Sequence, residues 1–256
     1  MRLEQAIFTS LRSQRLDGYQ LAAHSSGISE EIAKELATWG PAHDSLWSHE
    51  RDAASVNFHR LAGGLFCISQ TSLAGAEYSG RGGGRVYTQM LVVPREALAR
   101  FADDPFQILQ AVAASGRLLV HEQVPDSLPT IPLLGRGREL GRDAMQPLID
   151  VIGAETLAEL TEVATSNWAA TVITNVPVPR LFQVLLHQLA PDERLEVSFT
   201  TGLRPSSRRP FKLSIVPDDP ALARQSQRMS GGRIIEARAD DPTILKFSPP
   251  RTPDVV

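Results

Sequence analysis

The chain has one thiol, Cys67. A lone cysteine becomes a nucleophile only with a base within hydrogen-bond reach and a third group to orient that base. His24, His43, His49, His59 and His121 are the candidate bases. The run around the thiol, GGLFCISQT, reads instead as an apolar strand, where a free cysteine packs as a small hydrophobe. His43 and Asp44, adjacent in PAHDSL, form the second candidate: imidazole as general base and carboxylate as its orienter, if a turn makes them converge. One cysteine cannot close an internal disulfide or a thiolate cluster. No pair of histidines has HExxH or similar spacing, so neither a metal site nor a cofactor is expected.

Two basic segments remain. SGRGGGR, 79–85, offers backbone amides and the side chains of Arg81 and Arg85 to an anion, but it lacks the lysine and hydroxyl of a phosphate-binding loop and precedes a strand, as a contact loop would. Gly135, Gly137 and Gly141 have the wrong spacing for a dinucleotide fingerprint. LRPSSRRPFK, 203–212, gathers Arg204, Arg208, Arg209 and Lys212 in a chain whose net charge is -3. That local excess predicts contact with an acidic protein surface, against the blander reading of a solvated hairpin. Nucleic acid is disfavoured, because Phe211 is the segment's only stacking residue. The expected partner-binding set is therefore Arg81, Arg85, Arg204, Arg208, Arg209 and Lys212, with no catalytic residue assigned.

The elements that must position these residues read as mixed α/β of the α+β kind. Strands are expected over 4–9 and 17–23, followed by a helix capped by Ser29 that buries Ile28, Ile32, Leu36 and Trp39 and stops at Gly40-Pro41. Segments 54–61, 64–73 and 85–93, separated by glycine-rich turns, predict an antiparallel meander. Asp104 and Pro105 open a second helix facing the core with Phe106, Leu109, Val112 and Ala113, and 118–124 reads as a further strand. A boundary is expected in the proline- and glycine-rich stretch 125–141. It divides an N-terminal α/β domain, 1–130, from a second α/β part, 131–237, with a loose tail over 238–256 holding one short strand, 243–247.

In the second part, helical patterns around Met145–Ile152 and Leu157–Ala164 precede a strand (168–174), a helix (179–189) and a strand (195–201) that predict a parallel βαβ unit. A last strand, 211–216, is expected to add antiparallel, and Trp168 to lie in the core or between the domains. No apolar run approaches the roughly 20 residues that span a bilayer, and the first residues lack a signal-peptide pattern, so a cytoplasmic protein without membrane contact is expected.

Taken together, EQAIFTSLRSQRLDGYQLAAHSSGISEEIAKELATWGP, HDSL and FHRLAGGLFCISQTSLAGAEYSGRGGGRVYTQMLVVP resemble the N-terminal domain, type two, of the bacterial GTPase-associated protein one family. The resemblance runs from Glu4 to about Val93, and Pro179–Phe182 and Leu195–Leu203 read as part of the same region. It implies a non-enzymatic adaptor beside small GTPases and effector modules in bacterial conflict systems, with a protein partner and no catalytic set to carry over. The alternative is a hydrolase or transferase working near Cys67 or His43/Asp44.

Overall fold

Strand alternation decides which side chains lie on each face of one large sheet. In the computed structural model, residues 1–12, 17–48, 50, 53–76, 84–230 and 232–240 are described. The antiparallel half comprises β1 (Arg2–Arg12), β2 (Asp17–His24), β3 (Ala54–Arg60), β4 (Leu65–Ala76) and β5 (Gly84–Pro94), with the two-residue β6 (Ile131–Pro132) pairing to β1. The parallel half comprises β7 (Ala170–Thr174), β8 (Phe199–Thr200), β9 (Leu213–Val216) and β10 (Arg233–Ala237). The spatial order is β10-β7-β9-β8-β3-β4-β5-β1-β2, and the halves join where β8 runs antiparallel to β3. The sheet therefore crosses the 125–141 stretch without interruption, carrying strands from both 1–130 and 131–237.

Helices cover both faces. On one, α2 (Arg95–Arg100), α3 (Pro105–Ala114), α4 (Arg142–Ile152), α5 (Ala154–Thr165) and α6 (Val178–Gln188) bury Phe58, Ile68 and Leu91 together with Val172, Leu213 and Ile215 in a single core. Phe106, Phe182 and Phe199 stack at its centre, with Phe182 and Phe199 ring centroids 4.1 Å apart. On the other face, α1 (Glu30–Trp39) covers Ala6, Phe8, Cys67 and Met90 with Ile28, Ile32 and Leu36, while α8 (Pro220–Ser230) covers the parallel half through Ala223 and Ser226. A short α7 (Pro191–Arg194) leads towards β8. Between α1 and α8 that face carries a buried polar seam: Asn57 accepts from Ser55 Oγ at 2.8 Å and Thr200 Oγ1 at 2.6 Å and donates to Ser69 Oγ at 3.0 Å. Loops 40–47 and 203–211 lie over it, tied by a Leu46–Leu203 bridge and by Leu46, Leu203 and Phe211 in one apolar cluster.

Ser29 caps α1 as expected, its hydroxyl accepting from Ile32 N. Asp104 caps α3, accepting from Phe106 N at 2.8 Å. Several expectations need correction. Segment 118–124 forms no strand: the Tyr87 hydroxyl of β5 donates to Leu119 O and accepts from His121 N, Gln89 donates to the preceding Arg117 O, and Leu119 and Val120 stay exposed. Ala113 points to solvent, and Ile108 takes its place in the core. Segment 211–216 is parallel rather than antiparallel, and β9 inserts between β7 and β8, so the two strands flanking α6 share a direction without pairing to each other. The stretch 125–141 follows the core closely. Gly137 donates to Arg100 O at 3.1 Å, and a Cβ there would lie 2.5 Å from the Phe101 backbone, an approach only glycine allows. The first tail residues are anchored, since Asn175 both donates to and accepts from the Ala239 backbone at 2.8 Å; the expected strand 243–247 lies outside the described residues.

Candidate functional site

The 203–212 loop joins β8 to β9 across the polar seam, which fixes where its charges go. Arg204 N donates to Ser45 O at 2.7 Å and its guanidinium lies 5.3 Å from the centre of the buried Trp47 ring, a cation–π placement. Arg209 turns inward. It is buried, donating from Nη1 to Gly40 O and from Nη2 to Ser45 Oγ, both at 3.4 Å, and no carboxylate lies within ion-pair distance among the described residues. Gly40 follows the last turn of α1, where carbonyls carry the negative end of the helix dipole, so the guanidinium finds partial compensation there. Burial, with the neighbouring charge of Arg208, brings its pKa down to about 10. Lys212 donates from Nζ to Ala164 O at 2.9 Å, and burial lowers its pKa although Glu196 opposes that effect. Arg208 alone of the four projects into solvent.

Beside this loop lies a recess of about 370 Å³ at the amino-terminal ends of β7, β8 and β9. Its lining combines cations and hydroxyls, from Arg209, Lys212 and four serines, with the apolar side chains of Trp168, Phe211 and Met229. Trp168 was expected inside, yet 64% of it is exposed, as is 57% of Met229. It lies just before β7, where Ser166 Oγ accepts from its amide at 3.1 Å. The exposed Trp168 and Met229 could not be assigned to this recess from spacing, because α8 and the loop meet only through the fold.

The other candidates are separated. Arg85 is buried at the start of β5 and donates from Nε to Ala74 O at 2.9 Å, whereas Arg81 lies outside the described residues. Cys67 and His59 face each other across β3 and β4, so the register does juxtapose thiol and imidazole. Their environments suit packing. Burial, reinforced by Glu35, drives the thiol far above its ordinary pKa, while burial alone lowers His59 to about 3. Neither His59 ring nitrogen has a hydrogen-bond partner among the described residues, and the ring is stacked on Trp39 with centroids 3.8 Å apart. A thiolate and an imidazolium are both the disfavoured forms here, the opposite of an activated Cys-His pair. His43 and Asp44 do converge: Nε2 and Oδ2 are 3.1 Å apart in a turn that puts Asp44 at φ 57°. His49 falls outside the described residues, and no group of three or more metal-ligating side chains occurs among the described ones.

The family model for GTPase-associated protein 1, N-terminal domain type 2, matches residues 2–143, more than half of the chain. The chain belongs to this family. No curated protein matches it. The GTPase-associated region supplies the antiparallel half of the sheet together with α1, α2 and α3, and extends well past Val93. It ends at Asp143, so Pro179–Phe182 and Leu195–Leu203, expected within the family region, lie beyond the match, as do the 203–212 loop and the recess. No helix among the described residues is long and apolar enough to cross a membrane.

Proposed function

We propose that this GTPase-associated chain is a non-enzymatic adaptor or scaffold, working in the cytoplasm, that holds a small GTPase or effector module in a bacterial conflict or signalling system and meets an acidic protein surface through its 203–212 loop. The family match over residues 2–143 carries the reading. Support comes from the side chains most suited to chemistry: Cys67 and His59 are held neutral and buried, and Arg85 and Arg209 are engaged by backbone carbonyls. The test is capture of a small GTPase encoded beside the chain, loaded in turn with GDP and with a non-hydrolysable GTP analogue. Saturable binding sensitive to the nucleotide state supports the adaptor; absence of binding in both states refutes it.

One observation favours the alternative of a hydrolase or transferase: the His43–Asp44 pair, at 3.1 Å and partly exposed, has the geometry of a base with its orienter. Loss of a measured turnover in His43→Ala, with partner capture unchanged, would establish it over the adaptor.

A further inference from the structure

We propose that the recess beside the 203–212 loop is a docking site for an extended, acidic segment of a protein partner in which a carboxylate side chain stands next to a large apolar one. The inference rests on the adaptor reading and names the chemistry of what is adapted. Its basis is a lining that combines cations with exposed apolar side chains. Lys212 and Arg209 both line the recess and donate to backbone carbonyls, and no acidic side chain lines it among the described residues. Glu196 acts on Lys212 from a distance, but neither cation forms an ion pair among the described residues, so the lining keeps a positive field in a low-dielectric hollow, which a carboxylate entering from outside would satisfy. Arg208, exposed on the same loop, adds a third charge that an approaching acidic chain meets first.

The apolar part of the lining argues for protein as the carrier of that carboxylate. Trp168 and Met229 are two of the largest exposed apolar side chains described, and they stand together at this recess rather than scattered over the surface. An aromatic anchor beside charged groups is the composition of an interface hot spot. A free phosphate would use the cations and leave the indole wet, whereas nucleic acid would need a longer basic stripe than a chain of net charge -3 presents here. The recess, at about 370 Å³, has room for two or three side chains, not for a folded domain.

The probe is a fluorescein-labelled peptide alternating glutamate with leucine, titrated against the full chain and followed by anisotropy at low and high salt. Two unlabelled competitors are used: the same peptide with glutamine for glutamate, and inorganic phosphate. Arg208→Glu and Trp168→Ala alter exposed side chains, and equal unfolding midpoints confirm that both variants fold. The expected results are saturable binding weakened by salt, a loss of about tenfold or more in each variant, and poor competition by the glutamine peptide and by phosphate. No binding of the glutamate-leucine probe, unchanged affinity in both variants, or equal competition by the glutamine peptide overturns the proposal. Displacement by phosphate at comparable concentration also overturns it and assigns the recess to a phosphorylated ligand. The same variants in the GTPase capture separate the two readings. Capture that survives both substitutions rejects the recess and keeps the adaptor, while peptide binding without any GTPase capture keeps the recess and rejects the GTPase partner.

Discussion

Acid should weaken this fold through His59, and replacing that residue by phenylalanine should remove much of the effect. The imidazole is 3% exposed, lies flat on Trp39, and has neither ring nitrogen hydrogen-bonded among the described residues. Burial lowers its pKa from 6.5 to about 3. Between those values the unfolded chain binds a proton that the folded chain does not. Stability conferred by the neutral ring is therefore complete above 6.5 and falls as pH drops towards the folded value. At about pH 4.5 the loss is on the order of 3 kcal/mol, and it approaches a limit on the order of 5 kcal/mol near the folded pKa. His59→Phe keeps a flat ring against Trp39 and removes both the titration and an unpaired buried N–H, whose desolvation costs about 1–3 kcal/mol. Urea unfolding of wild type and variant, followed by far-UV circular dichroism from neutral pH to about 4.5, gives the difference in stability at each pH, and effects of other titrating groups cancel in it. The variant should gain on wild type by about 3 kcal/mol over that range. A difference that stays constant with pH would refute the burial of a neutral imidazole at this position.

Three further outcomes follow from the packing. Leu36→Ala, at a fully buried position on the core side of α1, should cost about 2–5 kcal/mol in chemical denaturation. Arg209→Glu should cost about 2–5 kcal/mol by setting a carboxylate against the Gly40 carbonyl, while Arg208→Glu should leave the thermal midpoint unchanged. Because sheet and core run from 1–130 into 131–237, tryptophan fluorescence and circular dichroism should report one coincident unfolding transition; two separated transitions would show that the halves fold independently.

The elements most legible in the sequence were those whose signal is local. Ser29 with Glu30 and Glu31, then Ile32 and Leu36 one turn apart, specify α1 by capping chemistry and a three-to-four spacing, and the glycine-separated β-branched runs specify the β3-β4-β5 meander. Elements whose signal is distant were not legible. The buried face of α8 is Ala223 and Ser226, too small and too polar to form an apolar stripe, yet it suits a helix whose Ser226 hydroxyl meets Thr171 at 2.8 Å. In β9 the segment LSIV is buried on both faces and looks the same in a parallel or an antiparallel setting; the partners on either side decide its direction. Segment 118–124 has strand composition, but its backbone is claimed by the Tyr87 hydroxyl, whose position no local pattern discloses.

For the candidate site the limit is of a different kind, because charge is visible in a sequence and its burial is not. Arg204, Arg208, Arg209 and Lys212 read as four equivalent cations, yet the fold gives each a different acceptor or none: the Trp47 ring, solvent, the carbonyl of Gly40 and the carbonyl of Ala164. The Gly40-Pro41 break that ends α1 leaves a carbonyl for Arg209, 169 residues later in the chain, so the helix stop and the basic loop are one construction. That construction bears on binding. A loop pinned by Arg209 beneath it, by Leu46–Leu203 at one end and by Lys212 at the other has little conformational freedom left to lose. The entropy of ordering it is spent in folding, so a partner that meets Arg208 and Trp168 keeps more of its contact energy as affinity. Loosening the anchor without touching the contact residues, as Ser45→Ala would by removing the acceptor of Arg209 Nη2, should therefore weaken peptide binding through a slower association, with Arg208 and Trp168 intact. Identical association rates in the two proteins would show that the loop is held in its binding form by other contacts than Arg209.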